Sequence, residues 1–147
     1  MAKVIVIYGT TTGNTETLAE GVVSGLKKGG VEVTVKNVTG ANVDELTGYD
    51  LIVLGSSTWG EGELQDDFIG FHEAMDKISL AGKKAAAFGP GDSSMYPDTF
   101  CSAVEILEEK LKKCGAQLVI EGLKIDGEVQ PAMKQAEEWG EKIARSL

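Results

Sequence analysis

Short apolar runs alternate with segments of helical periodicity along the chain. Continuous apolar runs predict strands at residues 4–9, 50–55 and 83–88, and the middle one reads as a strand buried on both faces. Period-two alternation predicts a half-exposed strand at 31–35, and a fifth strand is expected at 117–125, with Gly122 as an interruption or bulge. Apolar residues three and four positions apart predict helices over 18–26, 68–75, 100–111 and 133–147.

This order of elements predicts an α/β fold, a doubly wound parallel sheet with helices on both faces. The chain has 147 residues, without repeats or linker-like segments, so we expect a single domain over 1–147. In open α/β sheets, ligands bind at the carboxyl ends of the strands. The polar, glycine-rich loops after the first, third and fourth predicted strands are therefore the candidate site.

The first of these loops places small polar residues where a strand turns into a helix. Its members are Thr10, Thr11, Thr12, Gly13, Asn14 and Thr15. The first N–H groups of a helix have no intrahelical partner, and the helix dipole is positive there, so the loop predicts a phosphate cradle. The alternative is a Thr-rich helix cap with nothing bound, but a cap accounts for one polar side chain rather than five.

Two common nucleotide motifs are missing from this loop. No lysine follows Gly13, which excludes the GxxxxGK[ST] loop of nucleoside-triphosphate enzymes. The dinucleotide fingerprint GxGxxG is absent, and the second strand ends at Asn37 without an acid for a ribose. Residues 9–15 contain no positive charge, so N–H and hydroxyl dipoles alone would hold the phosphate.

The other two loops offer aromatic side chains. In the second loop, residues 56–63, Trp59 stands between small hydroxyls and glycines, as a stacking surface for a flat ring would. The alternative is a tryptophan that folds back over the core. In the third loop, residues 89–98, Tyr96 is a second candidate for stacking or an ordinary surface tyrosine. Together the three loops suit a ligand with a phosphate, a polyol and a flat heteroaromatic ring, which is the shape of flavin mononucleotide (FMN).

Four segments carry a resemblance to a known family. They are TTTGNT at 10–15, SSTWGEGELQDDF at 56–68, GDSS at 91–94 and FCSAVEILEEKLKKCGA at 100–116. On these segments the whole chain resembles the short-chain flavodoxins, especially those of sulfate-reducing bacteria. The resemblance implies a flavodoxin-like five-stranded parallel sheet of order 2-1-3-4-5. It also implies a low-potential one-electron carrier with non-covalent FMN, which shuttles between neutral semiquinone and anionic hydroquinone.

The resemblance further implies a role for each loop. Residues 10–15 bind the FMN phosphate, Ser57 and Thr58 lie near the phosphate and ribityl chain, and Trp59 packs against the flavin. Backbone near Gly60 and Glu61 then meets the N5 and O4 edge of the ring, and backbone groups of Asp92 and Cys101 meet its pyrimidine end. Gly91 is a further cofactor-binding residue. The chain departs from the family in a shorter segment after Trp59 and in the third loop, where either Tyr96 or Met95 supplies the second stacking plate.

The net charge of −9 belongs to one stretch of the chain. Residues 37–76 contain nine acids and no Lys or Arg, which leaves 14 acids and 14 bases elsewhere. Nucleic acid and anionic membranes are poor partners for such a surface, so we expect basic redox proteins to dock around the flavin. The acids expected there are Glu61, Glu63, Asp66 and Asp67. A solvated acidic face kept for solubility is the alternative.

The remaining features predict a cytoplasmic monomer. No apolar run approaches the roughly 18 residues of a membrane span, and no signal peptide precedes the first strand at Lys3. Cys101 and Cys114 fall on one predicted helix, about 20 Å apart, which is beyond disulfide reach.

Two other functions fit the same fold class. A response-regulator receiver needs acids at the end of the first strand, where this chain has Tyr8-Gly9. An FMN-dependent reductase of the quinone or azo type is the stronger alternative. Against it, Cys101, Cys114 and His72 have no catalytic spacing, and there is no metal-ligand cluster in the sequence.

Overall fold

The computed structural model describes residues 2–10, 13–59, 63–91 and 101–147, apart from the side chains of Trp59 and Glu63. Its strands are β1 Lys3–Gly9, β2 Glu32–Asn37, β3 Leu51–Ser56, β4 Thr58–Trp59, β5 Glu63–Leu64, β6 Lys84–Gly91, β7 Gln117–Leu118 and β8 Leu123–Asp126. Its α-helices are α1 Asn14–Lys28, α2 Asp66–Ala74, α3 Ser102–Lys113 and α4 Met133–Arg145. None of the helices described is long and apolar enough to cross a membrane.

The main sheet is parallel and confirms the predicted order. The strands follow one another as β2-β1-β3-β6, and both β7 and β8 pair with β6 on its far side. Counted as one interrupted strand, β7 and β8 complete the order 2-1-3-4-5. The interruption contains Gly122, as the sequence predicts. A Cβ at Gly122 would lie 2.7 Å from Cγ1 of Val104, so the chain there passes close to α3.

The fourth strand of that order is longer than the sequence predicts. β6 continues to Gly91, so residues 89–91 belong to the strand and not to the third loop. The carbonyl of Gly91 accepts a hydrogen bond from the N–H of Gly127 at 2.8 Å, on the side of β8. Pro90 therefore turns its nitrogen to the other side, where the pairing of β3 with β6 has already ended at Gly55 and Phe88. Because Pro90 has no N–H, this orientation means that the sheet loses no hydrogen bond between neighbouring strands.

Each face of the sheet carries a separate core. Ile5, Ile7, Ile52 and Leu54 pack with α2 and α3, while Val4, Val6 and Val53 pack with α1 and α4. Successive side chains of a strand point to opposite faces, so a continuous apolar strand supplies both cores. The prediction of helices on both faces is confirmed.

Between β2 and β3 the chain forms two 3-10 turns, Val38–Gly40 and Val43–Gly48. Asn42 caps the second turn, since its side chain accepts from the N–H of Asp44 at 2.9 Å and its own N–H donates to Glu45 at 2.8 Å. This connection returns the chain to the amino edge of the sheet.

Helices α1 and α4 touch through glycines. A Cβ at Gly25 would lie 2.0 Å from the carbonyl oxygen of Glu137, and a Cβ at Gly140 would lie 2.4 Å from that of Val22. The contact joins two backbones, so no rotation of a side chain could relieve an added methyl group.

We therefore expect Gly25→Ala to lower the free energy of unfolding by about 3 kcal/mol, since α4 must move away from α1. Gly70→Ala is the matched control, because Gly70 lies on the exposed side of α2 with no atom near its hypothetical Cβ. The free energy of unfolding of that variant should rise by about 0.5–1 kcal/mol, because Ala has a higher helix propensity than Gly. Urea unfolding measures both, and equal stabilisation by the two substitutions would contradict the close contact of α1 and α4.

Candidate functional site

The register of the central strands brings the predicted loops together at the carboxyl edge of the sheet. Gly9 pairs with Ser56 at the ends of β1 and β3, so the chain leaves both strands side by side. A Cβ at Gly89 in β6 would lie 2.2 Å from the carbonyl oxygen of Ser56. Three chain segments thus meet at one place, as the candidate site requires.

The first loop is closed by its own hydrogen bonds. Gly13 lies in the left-handed region with φ 92°, and its N–H donates to the Thr10 hydroxyl oxygen at 2.9 Å. The Thr17 hydroxyl donates to the carbonyl of Gly13 at 3.0 Å. Glycine adopts this φ without a steric penalty, which lets the loop turn tightly into α1. The Thr10 hydroxyl oxygen therefore already accepts one bond from within the loop.

Thr15 is the one buried hydroxyl of the described part of this loop that has no partner. Its side chain is 1% exposed, and no hydrogen bond to its Oγ1 occurs in the structure. An unpaired buried hydroxyl costs about 1–3 kcal/mol. It lies in the first turn of α1, where unpaired N–H groups and the positive end of the dipole favour an anion. The donors present therefore fit a phosphate group.

The second loop is more regular than the sequence predicts. Thr58 and Trp59 form β4, which pairs antiparallel with β5. The sequence predicts only a loop here and does not show these two strands, because strands of two residues are too short to show a period. The Thr58 hydroxyl oxygen accepts from the N–H of Ala103 at 3.0 Å, so this ribbon is tied to the first turn of α3.

Cys101 directly precedes α3 and has an unusual backbone. Its φ is 52°, the one positive φ among the non-glycine residues that the structure describes. The buried thiol donates to the carbonyl of Gly89 at 3.5 Å, and burial raises the pKa of this thiol to about 12. A neutral thiol turned into the core leaves the backbone as the part of Cys101 that can meet a ligand. The two cysteines flank α3 rather than lie within it, and both are free.

Gln65 and Ser56 are site residues that sequence reasoning missed. Gln65 is 2% exposed, and its N–H donates to the Ser56 hydroxyl oxygen at 3.0 Å. Its amide nitrogen donates to the Asp67 carboxylate at 2.9 Å and to the carbonyl of Thr10 at 3.4 Å. The Ser56 hydroxyl in turn donates to the carbonyl of Ser57 at 2.8 Å. The available signal was an amide placed between an apolar residue and the start of a helix, in Leu64-Gln65-Asp66.

The acids of residues 37–76 have different environments. Asp76 pairs with Lys110 at 2.6 Å and Lys113 at 3.5 Å, and the hydrogen bond from Lys110 lowers the pKa of Asp76. Glu45 pairs with Lys36. Asp66 and Asp67 are exposed in the first turn of α2, next to β5. The basic partners of Asp76 and Glu45 come from outside the acidic stretch, while Asp66 and Asp67 expose their charges close to the β4–β5 ribbon.

Several predicted site residues lie outside the described residues. These are Thr11, Thr12, Gly60, Glu61, Asp92, Met95 and Tyr96, together with the side chains of Trp59 and Glu63. Asn14 is exposed at the start of α1, and Gly91 is the last residue of β6. The part of the chain that the structure describes contains no cluster of His, Cys, Asp and Glu that could hold a metal ion.

A doubly wound sheet of order 2-1-3-4-5, with unpaired helix N–H groups and a buried unpaired hydroxyl at its carboxyl edge, defines a flavodoxin-type fold. The sequence model of the flavodoxin family matches residues 6–140. The chain is 46% identical to a flavodoxin of Maridesulfovibrio salexigens and 38% identical to one of Nitratidesulfovibrio vulgaris, each match covering both chains fully. The chain belongs to the flavodoxin family.

The structural comparison agrees with the sequence comparison. Oxidised flavodoxin 1 from Bacillus cereus superposes with a TM-score of 0.93 at 38% identity, covering 99% of each chain. Flavodoxins are FMN-containing electron-transfer proteins, so this chain is an electron carrier with FMN as its cofactor. The resemblance to the short-chain flavodoxins is confirmed, and the FMN-dependent reductase is not favoured.

We expect neither cysteine of the purified native protein to react with iodoacetamide at pH 8. Cys101 is 0% and Cys114 8% exposed, burial raises the pKa of both thiols, and the thiolate is the reacting species. Intact-mass spectrometry counts the modified thiols, with the urea-unfolded chain as the fully reactive control. Rapid labelling of Cys101 in the native protein would mean that its thiol, rather than its backbone, faces the site.

Proposed function

We propose that the three loops bind one FMN, with its phosphate at residues 10–15 and its ring between the second and third loops. When bound, FMN supplies a ring that takes up and releases electrons one at a time. The observation that carries this proposal is the buried Thr15 hydroxyl without a partner. A phosphate oxygen is an acceptor for it and for the unpaired N–H groups of the first turn of α1.

The phosphate is held by dipoles rather than by a cation. Residues 9–15 carry no Lys or Arg, so the charge of a phosphate monoester meets helix N–H groups and hydroxyls. A cation in this position would favour the reduced, anionic form of the flavin. A neutral cradle binds the cofactor without that bias, which suits a low-potential carrier.

The ring is proposed to lie beside the β4–β5 ribbon and the start of α3. Ser57 and Thr58 follow the end of β3, and Trp59 follows them as the stacking residue. The remaining proposed contacts are Gly60 and Glu61 at one ring edge, Gly91, Asp92 and the backbone of Cys101 at the other, and Tyr96 or Met95 as the second plate. The bond from Ala103 to Thr58 supports this arrangement, because it holds the ribbon against α3.

FMN binding tests the proposal directly, with Thr15→Val as the informative variant. The purified chain should be yellow and contain one FMN. Removing the Thr15 hydroxyl should weaken FMN binding at least tenfold, because a charge-assisted hydrogen bond to phosphate is lost. The same change should not destabilise the FMN-free chain, since that hydroxyl has no partner there.

Fluorescence titration gives the affinity, and urea unfolding of the FMN-free chain gives the stability. Thr15→Ser keeps a hydroxyl and is the matched control, expected to bind FMN nearly as well as the original chain. A colourless protein that ignores added FMN would overturn the proposed function, and fast NADPH oxidation by the protein alone would favour a reductase.

The protein passes electrons to redox partner proteins, as flavodoxins do, and we propose that basic partners dock on the acidic carboxyl edge. Asp66 and Asp67 are exposed there, and Glu61 and Glu63 precede them in sequence. Complementary charge raises association rates and makes them sensitive to salt. The same two aspartates also stabilise the first turn of α2 through its dipole, so one pair of charges serves two purposes.

We expect Asp66→Asn with Asp67→Asn to raise the potential of the second one-electron reduction by about 70 mV. A carboxylate about 10 Å from the flavin, at an effective dielectric constant of roughly 40, repels an added charge by about 0.8 kcal/mol, or about 35 mV. Reductive titration measures the potential, and stopped-flow mixing with a basic redox protein measures the docking rate, which should fall.

The control for that experiment is Glu32→Gln with Asp44→Asn. It removes the same charge from exposed positions on β2 and the 3-10 turn Val43–Gly48, away from the candidate site. An equal rise in potential for both double variants would show that net charge, rather than charge near the flavin, sets the potential.

A cytoplasmic monomer with one domain over 1–147 completes the proposal. Both cysteines are free, which suits a reducing compartment. Among the described residues, the large hydrophobic side chains that are exposed are Val35, Ile69 and Leu147, on three different parts of the fold. Scattered apolar residues of this kind do not form an interface between copies.

A further inference from the structure

We propose that Gln65 is a positioning residue that sets the affinity of the site for the phosphate of its cofactor. This inference rests on the proposed function and goes beyond it, because Gln65 follows the ribbon next to the proposed ring position and acts on the loop that is proposed to hold the phosphate. The residue stands between β5 and α2, directly before the exposed acids Asp66 and Asp67.

The first observation is what the amide of Gln65 contacts. Its nitrogen lies 2.9 Å from the Asp67 carboxylate and 3.4 Å from the carbonyl of Thr10. Both partners are acceptors, so the NH2 end of the amide must face them. With 2% of the residue exposed, solvent offers little competition for these two bonds.

The second observation is the fit between Gln65 and the end of β1. A Cβ at Gly9 would lie 2.6 Å from Oε1 of Gln65 and 3.0 Å from the ring of Phe68. The Gln65 side chain therefore occupies the space that a side chain at position 9 would need. The amide is held from both sides, by the backbone of β1 and by the first turn of α2.

The third observation is the anchorage of Gln65 itself. Its N–H donates to the Ser56 hydroxyl oxygen at 3.0 Å, and Ser56 is buried at the end of β3. The residue thus bonds to the ends of two neighbouring strands, β1 through the Thr10 carbonyl and β3 through Ser56. Hydrogen bonds to the ends of sheet strands, rather than to a loop alone, therefore fix the position of Gln65.

These contacts act on the phosphate loop through one peptide group. A trans peptide carries its carbonyl and the following N–H on opposite edges, so holding the Thr10 carbonyl sets the plane of the peptide that leads into the cradle. The Thr10 hydroxyl oxygen meanwhile accepts from Gly13 at 2.9 Å, at the other end of the turn. Thr10 is therefore fixed on both sides, and Gln65 supplies one of the two restraints.

A restraint on the cradle should matter most to a ligand that carries a phosphate. Loss of the amide frees the peptide after Thr10, so the loop must be ordered when phosphate binds, at a cost to affinity. A flavin without the phosphate does not use the cradle and does not bear this cost. The affinity ratio of FMN to riboflavin therefore reports the role of Gln65 specifically.

The test compares Gln65→Met with the original chain, after the flavin has been removed and added back. Met has a similar volume without the amide. We expect FMN affinity to fall about three- to tenfold, the effect of one or two modest hydrogen bonds, while riboflavin affinity changes less than twofold. Fluorescence titration with FMN and with riboflavin gives both values.

Asn42→Ala is the matched control. It removes the side-chain hydrogen bond that caps the 3-10 turn Val43–Gly48, which none of the hydrogen bonds described above joins to the cradle, and should leave the FMN-to-riboflavin ratio unchanged. If Gln65→Met lowered the affinities for FMN and riboflavin equally, or lowered neither, the proposed role of Gln65 would be overturned. Failure of the original chain to bind FMN would instead overturn the proposed function, and this inference with it.

Discussion

The parallel pairing of β1, β3 and β6 is the constraint on which the rest of the molecule depends. It aligns Gly9 with Ser56 and Gly55 with Phe88, so that the chain leaves neighbouring strands at one edge. The alignment requires close approach, since a Cβ at Gly55 would lie 2.1 Å from the Phe88 ring. Segments that are far apart in the sequence thereby lead to one edge of the sheet, where the candidate site lies.

Pairing alone brings the loops together, and a few hydrogen bonds then hold them. Gln65 bonds to Thr10 and Ser56, and Ala103 bonds to Thr58, so the first loop is joined to the second and the second to α3. Within this frame the buried Thr15 hydroxyl has no hydrogen-bond partner in the protein, and a bound phosphate would supply the acceptor that it lacks. A site that is ordered before binding loses less conformational entropy when the ligand binds, which favours affinity.

The sequence predicts the elements that show a regular hydrophobic pattern and misses those that depend on individual contacts. Continuous apolar runs locate β1, β3 and β6, period-two alternation locates β2, and Gly122 marks the interruption of the last strand, because burial imposes a pattern over several residues. The extension of β6 to Gly91 depends on β8, a neighbour that is distant in the sequence. The two-residue strands β4 and β5 have no period to detect, and the role of Gln65 exists only once β1 and α2 are adjacent. Thr15 could be named from the strand-to-helix pattern, but its missing partner is a property of the folded chain.

Helices α1 and α2 both begin at the carboxyl edge, but acidic side chains neutralise their dipoles to different extents. The first turn of α2 carries Asp66 and Asp67, which neutralise the positive end of its dipole. The first turn of α1 carries a single acid, Glu16, and contains the buried Thr15, whose hydroxyl has no partner. The positive end of α1 is therefore neutralised less than that of α2 and has an unpaired donor, which favours it as the proposed anion site. Because residues 9–15 contain no Lys or Arg, the proposed site would attract a phosphate through local dipoles while the surrounding acids keep the wider field negative. In the proposed arrangement, different residues set the affinity for the cofactor and the resistance to its reduction, the first being set by the cradle and its restraints and the second by the charges around α2.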